Sequence, residues 1–331
     1  MNKYNLLSGE ILYEYNLINK HNYKKRAGTA TAYYQLDLQS ADLHSNLMRL
    51  STLYNEGAPF VIFGDHTNLY ITENGYNGLF IDIKAYKNES ITYNESSHTF
   101  CVGADCVLDY FVHFAAELGY DFTGLVAIPG LIGSAISGNS GSKGVEIGNF
   151  VNSIKIFNFA EKKYETLYPN NKFFSRRNSH IGKSNETRFE FLIVSCILKA
   201  DYIGTNEAQK KLEQKLKERK QTDELSNQYG TAGSFWVSSS APSQFLKTGK
   251  KVRDLIVDLG LSKISYNGAR FVTKKCFLAT EKHTTDKDVA FLLDLTIKKL
   301  KEEYGFVPVK EVIILDYDGK ITIDEFIKRY L

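Results

Sequence analysis

A run of small residues at positions 127–146 is the part of this sequence best suited to bind a ligand. It reads AIPGLIGSAISGNSGSKGVE and contains five glycines, four serines, one proline and one asparagine among its twenty residues. Glycine lets a backbone approach an anion closely and turn its N–H groups toward it, as an extended pyrophosphate requires. The spacing matches neither the dinucleotide-binding G-x-G-x-x-G pattern nor the P-loop, which ends in Gly-Lys-Ser/Thr. We therefore expect a nucleotide or flavin site of another kind, with a plain glycine-rich turn as the alternative.

Other stretches carry polar groups that could do chemistry, but each is weak evidence in isolation. GDHTNL at 64–69 follows a short apolar run and forms a strand-to-loop turn whose small polar side chains could face a phosphate. Arg176 and Arg177 lie in a basic polar loop at 173–183. A solvated arginine, a turn serine such as Ser234 and a strand-edge acid such as Glu311 are the ordinary structural interpretations.

The composition is that of a globular protein of two or three domains. The 331 residues exceed the size of one typical core, and 43% of them are hydrophobic and 24% charged. A net charge of +3 without a basic, aromatic-rich stripe gives no argument for nucleic-acid binding. There is no apolar run of about 18 residues and no signal-peptide pattern, and the four cysteines lack metal-type or redox-type spacing. We expect a cytoplasmic protein without a metal site, a membrane association or an evident oligomeric partner.

The periodicity of apolar residues predicts alternating helices and strands. Helices are expected at 40–56, 108–118, 207–221, 254–261 and 286–304. Strands are expected at 59–64, 79–83, 99–104, 151–159, 163–168, 189–198, 270–280, 309–316 and 320–326. The last two strands would form a hairpin over Asp318-Gly319, a favoured two-residue turn. The dense charges of 207–221 are best explained as a solvated helix face.

Six motifs in a fixed order resemble those of the UDP-N-acetylenolpyruvoylglucosamine reductase family. GDHTNL resembles the family's G-x-G-S-N-x-L turn, and the segment from residue 127 resembles I-P-G-x-x-G followed by N-x-G-A-Y-G. FSRRNS resembles F-x-Y-R-D/N-S, AGSFW resembles A-G-S-F-F, LIVDLGL resembles L-I-D/E-x-x-G-L, and Glu311-Val312 occupies the place of L-E-P-E-V-R. Each motif is weak by itself, but six in register are specific, and they cover the chain from about residue 26 to residue 316.

The resemblance implies an α+β fold with two FAD-binding subdomains of the vanillyl-alcohol-oxidase type and a smaller substrate-binding domain. The implied boundaries are 1–78 with 312–331 for the first subdomain, 79–222 for the second and 223–311 for the substrate domain. FAD would lie between the two subdomains, bound without a covalent link. The spacing is that of the shorter subgroup, which lacks a tyrosine-bearing insertion.

The resemblance also assigns the residues that would bind FAD. In the first turn these are Gly64, Asp65, His66, Thr67, Asn68 and Leu69. In the second segment they are Ile128, Pro129, Gly130, Gly133, Ser134, Asn139, Gly141 and Gly144. Arg219, placed by counting back from AGSF, completes the set.

Three residues are implied in the reduction of an enolpyruvyl ether by NADPH through FAD. Arg177 would be the cation that stabilises negative charge developing on the substrate carboxylate, and a protonated Glu311 would be the hydrogen-bond donor. Ser234 would protonate the substrate carbanion. Arg176 is the alternative to Arg177 if the loop is shifted by one residue.

Departures from the family pattern concentrate in the substrate pocket. The family's lysine before AGSF is Thr222, its K-N/R-P after AGSFW is Val237-Ser238-Ser239, and A-Y-G is Ser142-Lys143-Gly144. We expect Lys143, Lys274 and Lys275 to bind the anionic UDP-sugar in place of the lost cations. The alternatives are a related flavoprotein that reduces another enol ether or small anionic substrate, and a catalytically silent protein that binds FAD or a nucleotide.

Overall fold

A computed structural model describes residues 4, 7–21, 23–186, 188–272 and 276–331, and of residues 220–229 it describes the backbone alone. The chain divides into two compact units. The first unit contains 1–15, 31–65 and 78–220, and the second contains 16–30, 66–77 and 221–331. Each unit has its own hydrophobic core. Helices and strands are mixed throughout, which confirms the predicted α+β class, while the predicted boundaries of three domains stay a prediction.

The elements below are numbered in chain order. The strands are β1 (Ile11–Asn16), β2 (Thr29–Leu36), β3 (Phe60–Phe63), β4 (Leu69–Ile71), β5 (Tyr76–Ile83), β6 (Ile91–Asn94), β7 (Thr99–Gly103), β8 (Gly141–Ser142), β9 (Val145–Glu146), β10 (Val151–Asn158), β11 (Lys163–Leu167), β12 (Phe174–Ser175), β13 (Asn178–Ser179), β14 (Phe191–Leu198), β15 (Ser265–Tyr266), β16 (Ala269–Val272), β17 (Phe277–Ala279), β18 (Ile313–Asp316) and β19 (Gly319–Ile321). The helices are α1 (Leu43–Asn55), α2 (Leu108–Glu117), α3 (Ile132–Ser137), α4 (His180–Ser184), α5 (Thr205–Tyr229), α6 (Ser243–Lys247), α7 (Val252–Asp258), α8 (Asp286–Tyr304) and α9 (Ile323–Tyr330).

One sheet has the strand order β1-β2-β5-β3, with β3 and β5 parallel. All four residues of β3, FVIF, are buried, as expected for a strand covered on both faces. Helix α1 buries Leu47, Leu50 and Leu53 in the core of the first unit, which confirms the predicted helix at this place. The Gly64 turn follows β3 directly, so this strand fixes where that turn begins.

A second sheet in the first unit has the order β11-β10-β14-β7-β6 and is antiparallel throughout. Backbone hydrogen bonds attach the glycine-rich segment (127–146) to residues 106–108, which lie between β7 and the first turn of α2. Leu108 N donates to Gly130 O at 3.0 Å, and Ile132 N donates to Cys106 O at 2.9 Å. In the same unit, Phe100, Phe111, Phe122 and Phe150 pack edge-on or tilted against one another. The segment itself is held in place by the backbone hydrogen bonds to Cys106 and Leu108.

In the second unit, β18 pairs in parallel with β4 and antiparallel with β19. Strand β4 follows the Gly64 turn directly. Its pairing with residues 313–315 therefore fixes where that turn ends. A buried ion pair connects strand β4 to the start of α8. Lys25 Nζ lies 2.9 Å from Asp286 Oδ1 and donates to Ile71 O at 3.1 Å, with both charged side chains 1% exposed or less. Tyr70 Oη donates to the same Asp286 oxygen at 2.7 Å.

Two details of the predicted C-terminal hairpin were wrong. Its turn residues are Tyr317 and Asp318, and Gly319 is the first residue of β19, paired with Asp316. The predicted strand at 320–326 ends at Ile321, and α9 follows. Thr322 Oγ1 accepts from Glu325 N at 3.2 Å, and Glu325 Oε2 accepts from Thr322 N at 2.7 Å. This reciprocal capping box starts a helix where alternating apolar residues had indicated a strand.

Candidate active site

The two predicted phosphate-binding turns meet at Gly64 in the first unit. A Cβ at Gly64 would lie 3.2 Å from the Leu131 side chain and 3.4 Å from Ser134 Oγ. Ser134 Oγ donates to Leu131 O at 2.8 Å and accepts from Leu131 N at 3.2 Å, which closes the turn at the start of α3. The sequence had suggested that both turns face one diphosphate, and the structure brings their beginnings into contact.

Several glycines of the segment are required by the protein's own packing. A Cβ on Gly133 would lie 2.8 Å from Ala104 Cβ, and one on Gly141 would lie 2.7 Å from Glu146 Cα. Gly130 has a φ of 116°, a conformation that residues with a side chain rarely adopt. The density of small residues was attributed to a ligand, and internal close packing accounts for part of it.

Backbone donors are nevertheless left for an anion in both turns. Among the residues that the structure describes, the N–H groups of Thr67, in the second unit, and Gly130, in the first, donate to no acceptor. Unpaired N–H groups at turns bind phosphate oxygens well, and a helix or sheet offers them no other partner here. Each of these groups by itself is a suitable donor to a phosphate oxygen, which is the kind of group that the diphosphate of FAD presents.

The other predicted FAD residues differ in exposure. Leu69 and Ile128 are buried. Asn139 is also buried, and its side chain contacts protein groups on three sides. The exposed members of the set are Asp65, Asn68, Pro129, Ser134 and Gly144.

His66 occupies the second glycine of the family's G-x-G-S-N-x-L pattern. The structure gives this residue a φ of 54°, in the left-handed region that favours glycine. The backbone conformation that the pattern requires is therefore kept although the glycine is not. His66 is half-buried.

Helix α5 holds both ends of the glycine-rich segment within the first unit. Arg219 Nη2 donates to Ala127 O at 2.8 Å, and Lys143 Nζ lies 2.5 Å from Glu218 Oε2. The hydrogen bond from Lys143 lowers the pKa of Glu218. Arg219 was predicted to act in cofactor binding, and the structure places it against the backbone of the segment. Nothing in the sequence distinguishes Glu218 from the many other charges of this helix.

Arg177 lies at the tip of a short hairpin formed by β12 and β13. The strands pair Phe174 with Ser179 and Ser175 with Asn178, so Arg176 and Arg177 are the two turn residues. Arg177 has a φ of 58° and is half-buried, whereas Arg176 is exposed. The predicted basic loop is thus a hairpin followed by α4.

Ser234 and Glu311 are brought together in the second unit. Glu311 N donates to Phe235 O at 2.7 Å, Val237 N donates to Val309 O at 2.8 Å, and Trp236 and Lys310 form an antiparallel bridge between them. Ser234, next to Phe235, pairs with Phe277 on its other side. The backbones of the two predicted catalytic residues are therefore neighbours, and both side chains are half-buried.

The end of the first predicted phosphate-binding turn, at Asn68, contacts the backbone beside Glu311 in the second unit. Asn68 Nδ2 donates to Glu311 O at 3.0 Å, and Ile313 N donates to Asn68 O at 3.1 Å. One turn thus carries a predicted phosphate donor at Thr67 and the residue that holds the Glu311 backbone. In this unit, the predicted cofactor-binding residue Asn68 and the predicted catalytic residues Ser234 and Glu311 are therefore close in space.

Of the three lysines predicted to bind substrate, Lys274 and Lys275 lie outside the described residues. Lys143 is described, and it lies at the turn between β8 and β9 with a φ of 53° and a side chain that is 65% exposed. An exposed ion pair such as Lys143–Glu218 contributes little free energy and breaks easily. Lys143 is therefore held only weakly by Glu218.

Neither a metal site nor a membrane span is found in the described part of the chain. No group of three or more His, Cys, Asp or Glu side chains is arranged to hold a metal ion there. Within the same residues, none of the helices combines the length and apolar character that crossing a bilayer requires.

Comparison with known proteins finds a matching family and similar enzymes. Residues 45–162 match the FAD binding domain family. UDP-N-acetylenolpyruvoylglucosamine reductase of Caldanaerobacter subterraneus subsp. tengcongensis is 27% identical over 271 residues, which are 80% of this chain and 82% of that protein. The enzyme of the same name from Thermotoga maritima is 29% identical over 262 residues, which are 77% of this chain and 84% of that protein.

A solved structure shows the same fold. The crystal structure of UDP-N-acetylenolpyruvylglucosamine reductase from Thermus caldophilus superposes with a TM-score of 0.67 at 19% identity. The match covers 92% of this chain and 98% of that one. The similarity therefore extends over both units.

Proposed function

The chain belongs to the UDP-N-acetylenolpyruvoylglucosamine reductase family, and from this premise we propose that it is an FAD-dependent oxidoreductase that uses NADPH. Its substrate is the enolpyruvyl ether of UDP-N-acetylglucosamine, and its product is UDP-N-acetylmuramate. This reaction makes a peptidoglycan precursor, so the enzyme acts in the cytoplasm in cell-wall biogenesis, and through it in cell shape and division. The observation that carries the proposal is the pairing of 235–237 with 309–311, which makes Ser234 and Glu311 neighbours.

The reaction needs charge stabilisation on the substrate. When bound, FAD supplies the hydride that passes from NADPH to the methylene carbon of the enol ether. Arg177 binds the substrate carboxylate, onto which negative charge moves during reduction. Glu311, protonated, donates a hydrogen bond to the same charge. A fixed cation and a fixed donor stabilise developing charge because they need no reorganisation when it appears.

The neighbouring carbon must then receive a proton. Ser234 is the donor: its hydroxyl is a weak acid, but a carbanion next to a carboxylate is basic enough to take its proton. Isolated backbone bridges fix the Ser234 backbone between Phe277 and the segment 309–311 that carries Glu311. The donor is therefore held by backbone pairing, which favours one geometry of proton transfer.

Anaerobic spectroscopy of the purified protein tests this function. We expect a yellow protein whose flavin absorbance near 450 nm bleaches with NADPH and returns, on the order of one equivalent per site, when UDP-N-acetylglucosamine enolpyruvate is added. UDP-N-acetylglucosamine without the enolpyruvyl group is the matched control and should not restore the colour. A colourless protein, or a bleached one that the enolpyruvyl nucleotide does not reoxidise, contradicts the proposal.

A second candidate is a reductase of the same fold that acts on another enol ether or small anionic substrate. The observation in its favour is the pairing of Lys143 with Glu218, together with Val237-Ser238-Ser239 where the family has cations. Each charge-assisted contact that is lost weakens binding by roughly 1.5–3 kcal/mol. Bleached protein that reoxidises with a different enol ether, and not with the UDP-sugar, identifies this second function.

A further inference from the structure

Asn139 joins the glycine-rich segment to the hairpin that carries Arg177. It is 2% exposed, and its side-chain amide makes three hydrogen bonds to the protein. Nδ2 donates to Ser175 O at 2.9 Å and to Glu146 Oε2 at 2.7 Å, while Oδ1 accepts from Gly148 N at 3.1 Å. Both amide hydrogens are therefore used. The Ser175 carbonyl belongs to β12, next to the arginine turn.

The other strand of the hairpin has its own bond to the same segment. Ser179 Oγ donates to Ser137 O at 2.8 Å and accepts from Gly182 N at 3.0 Å at the start of α4. Ser137 ends α3, and Asn139 follows two residues later. Both strands of the hairpin are thus anchored on a three-residue stretch of the segment. Between the two anchored residues, Ser175 and Ser179, lie the turn residues Arg176 and Arg177 and the strand residue Asn178.

Two requirements restrict the residue type at position 139: the backbone conformation and the hydrogen bond to Ser175 O. Its φ of 43° lies in the left-handed region, where asparagine is among the few tolerated residues other than glycine. Glycine would suit the backbone equally well but has no amide to bind Ser175 O. Aspartate would lack the donor and would place a second carboxylate beside Glu146. Asparagine meets both requirements.

We propose that Asn139 is a positioning residue for the Arg177 guanidinium, through its hydrogen bond to the Ser175 carbonyl. The proposal rests on the proposed role of Arg177 in binding the substrate carboxylate. It assigns to Asn139 a task beyond cofactor binding: Asn139 couples the conformation of the glycine-rich segment to the place of the arginine.

The variant Asn139→Gly tests this coupling because it removes the amide and keeps a residue suited to the left-handed backbone. The variant and the unaltered protein are compared at equal flavin occupancy, and flavin reduction by NADPH should change less than reoxidation does. Reoxidation by the enolpyruvyl nucleotide should slow about tenfold to a hundredfold, as small misplacements of a binding group do. In an Arg177→Ala background the same change should have no further effect, because the group that it positions is absent.

A readout independent of turnover is trypsin cleavage after Arg176 and Arg177 in native protein. Asn139→Gly should be cut there at least about fivefold faster, because a hairpin that has lost one anchor opens more often. Asn149→Ala is the matched control. Asn149 is an amide three residues beyond the segment, and its Oδ1 accepts from Glu146 N instead of binding the hairpin. We expect this variant to match the unaltered protein in cleavage and in turnover.

The possible outcomes distinguish a failure of the positioning role of Asn139 from a failure of the proposed reductase function. Unchanged cleavage overturns the anchoring by Asn139, whatever the substrate is. Faster cleavage with unchanged reoxidation, or an additive effect in the Arg177→Ala background, also overturns the positioning role. Faster cleavage in a protein that never reacts with the enolpyruvyl nucleotide supports the anchoring and contradicts the proposed function instead.

Discussion

Arg177 adopts a backbone conformation that an arginine normally avoids. A residue with a side chain at a φ of 58° costs on the order of 1 kcal/mol. Such strain persists only where the surrounding structure fixes it, and it is common at binding and catalytic sites. Arg176 beside it has no such conformation and is exposed. The structure therefore favours Arg177 as the active-site arginine, a choice that the sequence left open.

The two arginines should behave very differently when removed. We expect Arg177→Ala to lower kcat/KM for the enolpyruvyl substrate by about a hundredfold to a thousandfold, the effect of losing one preorganised charge-stabilising group. Arg176→Ala should stay within about threefold, because an exposed arginine contributes little. Steady-state kinetics of both variants checks this, and the reverse order of effects would assign the role to Arg176.

Ser234 should matter in only one of the two half-reactions. In Ser234→Ala we expect flavin reduction by NADPH to be nearly intact and reoxidation by the substrate to slow by about two to four orders of magnitude, since the proton is needed only then. Stopped-flow absorbance separates the two steps. An equal loss in both, or in neither, removes Ser234 from the mechanism.

Among helices and strands, the long periodic elements could be predicted and the short ones could not. Helices α1, α2 and α8 follow from their apolar spacing. The β12–β13 hairpin has strands of two residues, too short for any pattern, and its position depends on hydrogen bonds from the distant Ser137 and Asn139. The place of Arg177 was therefore available from the family resemblance only.

The buried Lys25–Asp286 pair is a further contact that the sequence does not reveal, because 261 residues separate its partners and each is one charge among many. Lys25→Met should lower the free energy of unfolding by about 3–5 kcal/mol, since it leaves the Asp286 carboxylate buried without its cation. Urea unfolding followed by fluorescence measures this loss.

A double variant provides the control. Lys25→Met/Asp286→Asn should lose less than the sum of the two single variants, because no unpaired charge then stays buried. If the two losses simply add, the ion pair is not the source of the stability.

The stability of the whole protein should fall in acid partly through Asp316. This carboxyl is fully buried, which by itself raises its pKa, but hydrogen bonds from Thr72, the Tyr317 backbone and Tyr330 and the charge of Arg329 outweigh burial, and the net pKa is lowered. The unfolded state therefore binds a proton at higher pH than the folded state. Stability is present above the unfolded pKa of about 3.9 and is lost as the pH falls through the folded value.

Thr72→Val tests that account without changing any charge. It removes the hydrogen bond from Thr72 Oγ1 to Asp316 Oδ1, which measures 2.6 Å. We expect the acid loss of unfolding free energy, up to about 1.4 kcal/mol per pH unit for one proton, to begin near the unfolded pKa in both proteins. In the variant it should end at a higher pH and be smaller in total, because the folded pKa of Asp316 is less lowered. Urea unfolding between pH 2 and 6 measures it. A loss of the same size that ends at the same pH would show that this bond does not set the pKa.

At the scale of the molecule, the fold class could be predicted because motifs in register imply it, and the division into units could not. The parallel pairing of β18 with β4 joins residues 313–315 to residues 69–71. A pairing between such distant stretches leaves no local pattern in either of them. The same pairing determines where the Asn68 turn meets Glu311.

This interleaving also sets an order of events during protein synthesis. The first unit needs nothing beyond residue 220, whereas the second is assembled from 16–30, 66–77 and 221–331. On the ribosome, where domains fold as they emerge, the first unit can form while the second still lacks its central strand. The early stretches 16–30 and 66–77 must then wait for β18 to be translated. The second unit therefore cannot be completed before translation has passed residue 315.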